Sequence, residues 1–330
     1  MAGLGDIIGN EPVKDYFSTA IADGQVSHAY LLAGEAGLGR KTLARAVAMT
    51  LQCESEGERP CGVCTSCRMI QAGTHPDVRF VTHEKPGTIS VDDVRRQIVS
   101  DAAIRPYKGP WKIYIMDEAE KMNPQAQNAL LKTIEEPPSY VILFLITSSA
   151  EAMLETIASR CIRLSLRPLA DSVIREKLAE RGTSGEDADV AAAFARGNLG
   201  RALALAASEK FEQMRAILLG LLKDVDKRSV SSLVEEIRAV REGGFEIAAC
   251  LEFISLYYRD VLMFKATKDA NLLIFRDEIS YVRKRADRMS FEGLESVLLA
   301  IDTARERLRA NVNFDLTMEL LFLSMKEQGR

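Results

Sequence analysis

The stretch GEAGLGRKT, Gly34 to Thr42, holds residues of the type and spacing that bind phosphate. A phosphate-binding loop reads G-x-x-x-x-G-K-[ST]: backbone amides cradle the phosphates, the lysine reaches the outer ones, and the hydroxyl ligates Mg²⁺. Gly34 and Gly39 keep the spacing, with Gly37 between them, but Arg40 stands in the lysine place and Lys41 in the hydroxyl place. Arginine is bulkier than lysine and carries a planar head of different geometry. Lysine in the metal-ligand place supplies no lone pair and repels the ion. Thr42 does not substitute, because one residue along a helix turns the side chain by about 100°. Backbone amides from Gly37 to Arg40 could still hold an anion at a helix N-terminus. The expectation is a degenerate loop without intrinsic ATPase, using neither ATP nor Mg²⁺ for turnover.

Two further clusters accompany the loop. KIYIMDEAEKM places Asp117 and Glu118 after an apolar run, where at the carboxyl end of a parallel strand they would hold Mg²⁺ and orient the attacking water. Thr147, closing LFLIT, is placed to contact a γ-phosphate or water. CESEGERPCGVCTSC brings together Cys53, Cys61, Cys64 and Cys67. Four thiolates complete the tetrahedron of a structural zinc site. PCGVC also matches half of the zinc-deaminase signature, but the H-x-E half is missing, since Ala29 and Tyr30 follow His28, and four sulfurs leave no place for a catalytic water. Cys161 and Cys250 each lie alone in apolar settings and read as small core residues.

The elements that must position these residues alternate strand and helix. HAYLLAG runs into the glycine loop, and Leu43, Val47 and Leu51 then mark one face of a helix starting near Lys41. DVRFV, WKIYIMDE, VILFLITS and CIRLSL read as further strands, apolar enough to be buried on both faces of a mostly parallel sheet. Ser90 with Asp93, and Asn123 before Pro124, read as helix starts. From Pro168 onward the pattern is helical, with Leu316, Leu320 and Leu323 on one amphipathic stripe.

At 330 residues the chain exceeds one ordinary core, so two or three domains are expected. A net charge of −4 argues against strong autonomous DNA binding. Neither a signal peptide nor a membrane-length apolar run is present, and a cytoplasmic protein is expected.

In order, HAYLLAGEAGLGRKTLARAVAMTLQC, the cysteines, MDEAEKMNPQAQNALLKTIEEPP, SRC and GNLGRAL resemble bacterial clamp-loader AAA+ subunits over nearly the whole chain. The fold class expected is α/β plus all-α: a RecA-like AAA+ domain over 1–167 with a zinc knuckle at 53–67, a helical lid over 168–208, and a helical collar over 209–330. The resemblance implies a ring with gamma or tau and delta subunits that loads a sliding clamp on primed DNA. It also implies that Arg160 of SRC is an arginine finger delivered in trans, and that Arg201 of GNLGRAL corresponds to a lid arginine that senses nucleotide. With a defective loop, a packing role is favoured for Arg201. Two other functions compete with a non-hydrolysing ring subunit: an autonomous AAA+ ATPase of gamma/tau type, and a zinc-bearing interaction module.

Overall fold

The computed structural model describes residues 3–83 and 87–329. Contacts divide the chain into two units, Met1–Leu169 and Ala170–Arg330. The first is built on five strands: β1 (Ala29–Ala33), β2 (Val78–Val81), β3 (Lys112–Met116), β4 (Val141–Thr147) and β5 (Ile162–Ser165). All pairings are parallel, in the order β2-β3-β4-β1-β5. Its helices are α1 (Glu11–Ala22), α2 (Arg40–Gln52), α3 (Thr65–Ala72), α4 (Val91–Val94), α5 (Ser100–Ala102), α6 (Pro124–Glu135) and α7 (Glu155–Ala158), with a π turn (Arg95–Val99) joining α4 to α5.

Alternation along each strand explains the layering. Tyr30, Leu32, Ile113, Ile115, Ile142, Phe144 and Ile146 face one apolar layer, with Phe17 of α1 and Leu43 and Val47 of α2. Their neighbours Ala29, Leu31, Tyr114, Met116, Leu143 and Leu145 face the other, with Ala126, Leu130 and Ile134 of α6. Successive side chains on a strand point to opposite faces, so continuous apolar runs such as VILFLIT need a helix layer on each side. β5 is an edge strand, and its residues are correspondingly more exposed.

Local signals set the helix starts. Asn123 Oδ1 accepts the Ala126 N–H at 2.8 Å, with Pro124 in the first turn. Ser90 and Asp93 form a reciprocal capping box, each side chain accepting the other's backbone N–H. Each such cap contributes about 1 kcal/mol.

The second unit is helical throughout its described residues: α8 (Asp171–Ala179), α9 (Glu186–Ala195), α10 (Leu199–Ala206), α11 (Glu209–Asp224), α12 (Val230–Glu242), α13 (Ile247–Thr267), α14 (Ile279–Arg288), α15 (Phe291–Arg309) and α16 (Phe314–Gln328). Val190 and Phe194 of α9 share one core with Leu218, Tyr257, Ile301 and Phe322. The face of α16 that packs inward is Met318, Leu321, Phe322 and Met325. The Leu316, Leu320 and Leu323 stripe is offset from it, leaving Leu316 and Leu320 among the exposed large apolar residues. Among the described residues no helix is long and apolar enough to cross a membrane.

Candidate functional site

The glycine loop lies where β1 ends and α2 begins. β1 sits between β4 and β5, so the loop opens at the carboxyl edge of the sheet, the usual ligand position in open α/β folds. Gly37 and Gly39 both take φ of +85°, which favours glycine and lets successive amides converge. At Gly34 a Cβ would meet the Leu166 carbonyl oxygen at 2.8 Å, so this position has no room for a side chain. Backbone geometry for holding an anion is therefore present.

The side chains oppose that use. Lys41 Nζ lies 3.5 Å from Asp117 Oδ2, so the ammonium in the hydroxyl place pairs with the carboxylate expected to hold Mg²⁺. Arg40 is 8% exposed, and its Nη1 is buried without a hydrogen-bond partner. Burial pulls its guanidinium below the usual range, while the charges of Asp117 and Glu120 act against that shift. Two protein cations thus stand among the acids of the loop. Thr42 is exposed at the start of α2. These residues do not fit Mg²⁺: one intended ligand is an ammonium and the other is its ion-pair partner.

Glu118 is diverted as well. Its φ is +54°, and its Oε2 accepts from Lys121 Nζ at 2.7 Å with His83 Nε2 at 3.7 Å. The Lys121 hydrogen bond holds this carboxyl below its ordinary range. Thr147 is fully buried, and its hydroxyl closes a local turn, donating to the Ser149 carbonyl at 2.8 Å and accepting the Ser149 N–H at 3.1 Å. The hydroxyl proton is thus engaged within its own turn. Glu120, not singled out from sequence, accepts from the Ser148 hydroxyl and, at 3.2 Å, from the Ser148 N–H. Burial pushes Glu120 up, but the Ser148 bonds prevail and leave it low. The third acid in DEAE was the available signal.

The four cysteines converge. Cys53 ends α2, Cys64 caps α3, and the four sulfurs all lie within 4.8 Å of one another. A tetrahedral ion with bonds of about 2.3 Å needs sulfur separations of about 3.8 Å. Backbone N–H groups of Cys61, Cys64 and Cys67 point at Cys53, Cys61 and Cys64 sulfur at 3.3, 3.3 and 3.4 Å. Gly62, at φ +72°, makes the turn that allows this. Amides of Val63 and Cys64 pull the Cys61 thiol down to about 6, whereas burial pushes Cys67 up. Donor set and geometry fit a metal ion.

A hydrogen-bond network with buried Ser66 and His75 and exposed Glu54 lies beside the knuckle. Ser66 Oγ donates to Glu54 Oε1 at 2.7 Å and lies 3.3 Å from His75 Nε2. The residue types resemble a hydrolase triad, but His75 Nδ1 accepts the Asp77 N–H at 3.1 Å. The proton therefore sits on Nε2, and His75 donates to Ser66 instead of taking its proton. His75 stands eight residues beyond Cys67 with no spacing signal to mark it.

Arg160 lies just before the amino end of β5. That strand pairs in parallel with β1, Ile162 level with Tyr30. From Tyr30 to Gly34 is about 13 Å of strand, before the turn carrying Arg160 is added. The sheet therefore separates Arg160 from this chain's own glycine loop. Its side chain is 42% exposed and pairs with Glu135 at 3.1 Å. Arg201 belongs to the second unit, where it lies 3.5 Å from Glu252 on α13.

A parallel sheet in this order, with a glycine loop after β1 and acids after β3, defines a RecA-like domain of the AAA+ class. A family model described as "DNA polymerase III, delta subunit" matches residues 9–170. The DNA polymerase III subunit delta' of Bacillus subtilis is 29% identical over 315 residues, covering 93% of each chain. Subunit tau of Escherichia coli is 34% identical over 174 residues, which is 52% of this chain but 27% of tau. A DNA polymerase III gamma subunit-related protein from Thermotoga maritima aligns over 95% of this chain and 99% of its own, at 18% identity and TM-score 0.42. The chain resembles DNA polymerase III subunits, delta' over most of its length and tau over about half of it. The delta' match runs through both units, whereas the tau match spans only about a quarter of tau's length.

Proposed function

We propose that this chain is a non-hydrolysing, delta'-type subunit of a DNA polymerase III clamp loader, and that it supplies Arg160 to a neighbouring subunit's ATP. The Lys41–Asp117 ion pair at 3.5 Å carries the first half of this proposal. A divalent ion at that carboxylate would have to displace the ammonium. The second half draws support from Arg160 standing at the far edge of the sheet, half exposed, where it serves another chain better than its own. In this reading the partners are gamma or tau and delta subunits, with the sliding clamp and primed DNA engaged through the assembly. Residues 168–208 act as a lid and 209–330 as a collar, and exposed Leu316 and Leu320 on α16 suit a helix packed against other subunits. Cys53, Cys61, Cys64 and Cys67 hold a structural Zn²⁺, which ties the end of α2 to α3 and takes no part in chemistry.

Steady-state ATPase of the isolated chain separates this reading from an autonomous gamma/tau-type ATPase: no turnover above background is expected. DNA- and clamp-stimulated ATPase of the reconstituted complex tests the finger. Arg160→Ala in this subunit alone should slow it by an order of magnitude or more, as withdrawal of an arginine finger does. Unchanged rates in rings of normal composition would leave a zinc-bearing interaction module as the better description.

A further inference from the structure

Arg160 is held by its own subunit in a specific way. Its Nη1 donates to the Thr156 carbonyl of α7 at 2.9 Å and lies 3.5 Å from Ser159 Oγ. Its Nη2 lies 3.1 Å from Glu135 Oε1. These acceptors engage the Nη1 end and part of Nη2, while Nε has no partner among the described residues. The Nε donor is left for an acceptor outside this chain, and a planar guanidinium fixed through its Nη groups presents that donor in a set direction.

Glu135 reaches this place through the fold. It is the last residue of α6, which starts beyond β3 at the carboxyl edge and returns to the amino edge before β4. Gln127, about two turns earlier on α6, accepts the Leu154 N–H at 2.8 Å and donates to the Ala152 carbonyl at 3.4 Å. The segment that bears Arg160 is therefore fastened to α6 at both ends, by a buried amide at the start and by Glu135 at the finger.

Resting on the reading of Arg160 as a finger in trans, the geometry points to Glu135 as its positioning residue: the carboxylate holds the guanidinium at Nη2 so that its remaining donors are presented to the neighbour's phosphate. Glu135 touches no reacting atom. Both side chains are more than two-fifths exposed, 42% and 46%, so the pair contributes little to folding. Its effect lies in holding a long, rotamer-rich side chain in place before the neighbour binds.

The test is ATPase of the reconstituted clamp-loader complex in which only this subunit carries Glu135→Ala, Glu135→Gln, Arg160→Ala, or Glu135→Ala with Arg160→Ala. Glu135→Ala should lower kcat by about threefold to tenfold, the cost of ordering one such side chain at the moment of use, with KM for ATP little changed. Glu135→Gln, which keeps an acceptor at the same reach, should recover most of the rate. Adding Glu135→Ala to Arg160→Ala should cost nothing more, because the two act as a unit. A purely structural glutamate would not show that dependence on Arg160. If Arg160→Ala slows the complex but Glu135→Ala does not, the positioning role is overturned while the finger stands. A faster Glu135→Ala complex overturns it too, marking the carboxylate as a brake, as does a double variant whose losses multiply. If Arg160→Ala itself has no effect, the finger reading fails first.

Discussion

Replacing Lys41 tests the structure's account of the silent loop most directly. The ammonium stands 3.5 Å from Asp117 with 50% and 38% of the two side chains exposed. An exposed pair of this kind contributes at most about 1 kcal/mol to stability, so Lys41→Thr should fold normally. Its effect on a divalent ion is far larger. Two unit charges 4 Å apart interact by about 1 kcal/mol in water and about 4 kcal/mol near a protein surface. Repulsion of a doubly charged ion therefore amounts to roughly 2 to 8 kcal/mol, which lowers its affinity at least about thirtyfold. Wild-type chain should accordingly bind nucleotide no better with Mg²⁺ than with a chelator present. Lys41→Thr combined with Arg40→Lys restores both a hydroxyl ligand and the slim phosphate lysine, and should give nucleotide binding that Mg²⁺ strengthens by an order of magnitude or more. Calorimetric titration with ATP, run with Mg²⁺ and with chelator, reads both. Tight, Mg²⁺-dependent binding by the wild-type chain would refute the reasoning, since it would mean that the Lys41 ammonium does not repel an ion held at Asp117.

Purified chain should carry close to one zinc per molecule by metal analysis, and Cys64→Ser should release it and loosen residues 53–67 to proteolysis while the sheet stays folded. Arg160→Lys should rescue the complex ATPase poorly compared with wild type, because an ammonium keeps the charge but loses the paired donors. Asp77 is buried and accepts N–H groups of Tyr107, Lys108 and Gly109 at 2.6, 2.6 and 3.1 Å, so Asp77→Ala should destabilise the first unit by about 3 kcal/mol. The single tryptophan, Trp111, lies at the end of that loop, and its fluorescence during urea denaturation provides the measurement.

What could be read in advance was local. Glycine spacing, the cysteine set and the caps at Ser90 and Asn123 each depend on residues a few positions apart, where backbone geometry is nearly determined by type. What could not be read depends on the order of strands. Lys41 meets Asp117 because β1 and β3 flank β4, an arrangement that alternation of strand and helix leaves open. Arg160 meets Glu135 for the same kind of reason, with β4 and α7 lying between them along the chain. A threonine at a strand end can equally serve its own turn, and here the Ser149 carbonyl accepts the Thr147 hydroxyl. On α16 the leucine stripe was visible in the sequence, but its side of the helix was not, since Met318, Leu321, Phe322 and Met325 form a competing face.

The separation of Arg160 from the glycine loop along β1 and β5 has a consequence for how many engines an assembly can contain. A subunit with a working loop at one edge and a cation at the other can join its own kind head to tail without limit, each completing the next. Under the proposed function this chain has the donating edge, while its receiving edge is closed by its own lysine. Placed in such a row it can serve a neighbour but needs none to serve it. In that proposal it would behave like a chain terminator in a polymerisation, and a ring that includes it would have a defined first member and fewer firing sites than subunits.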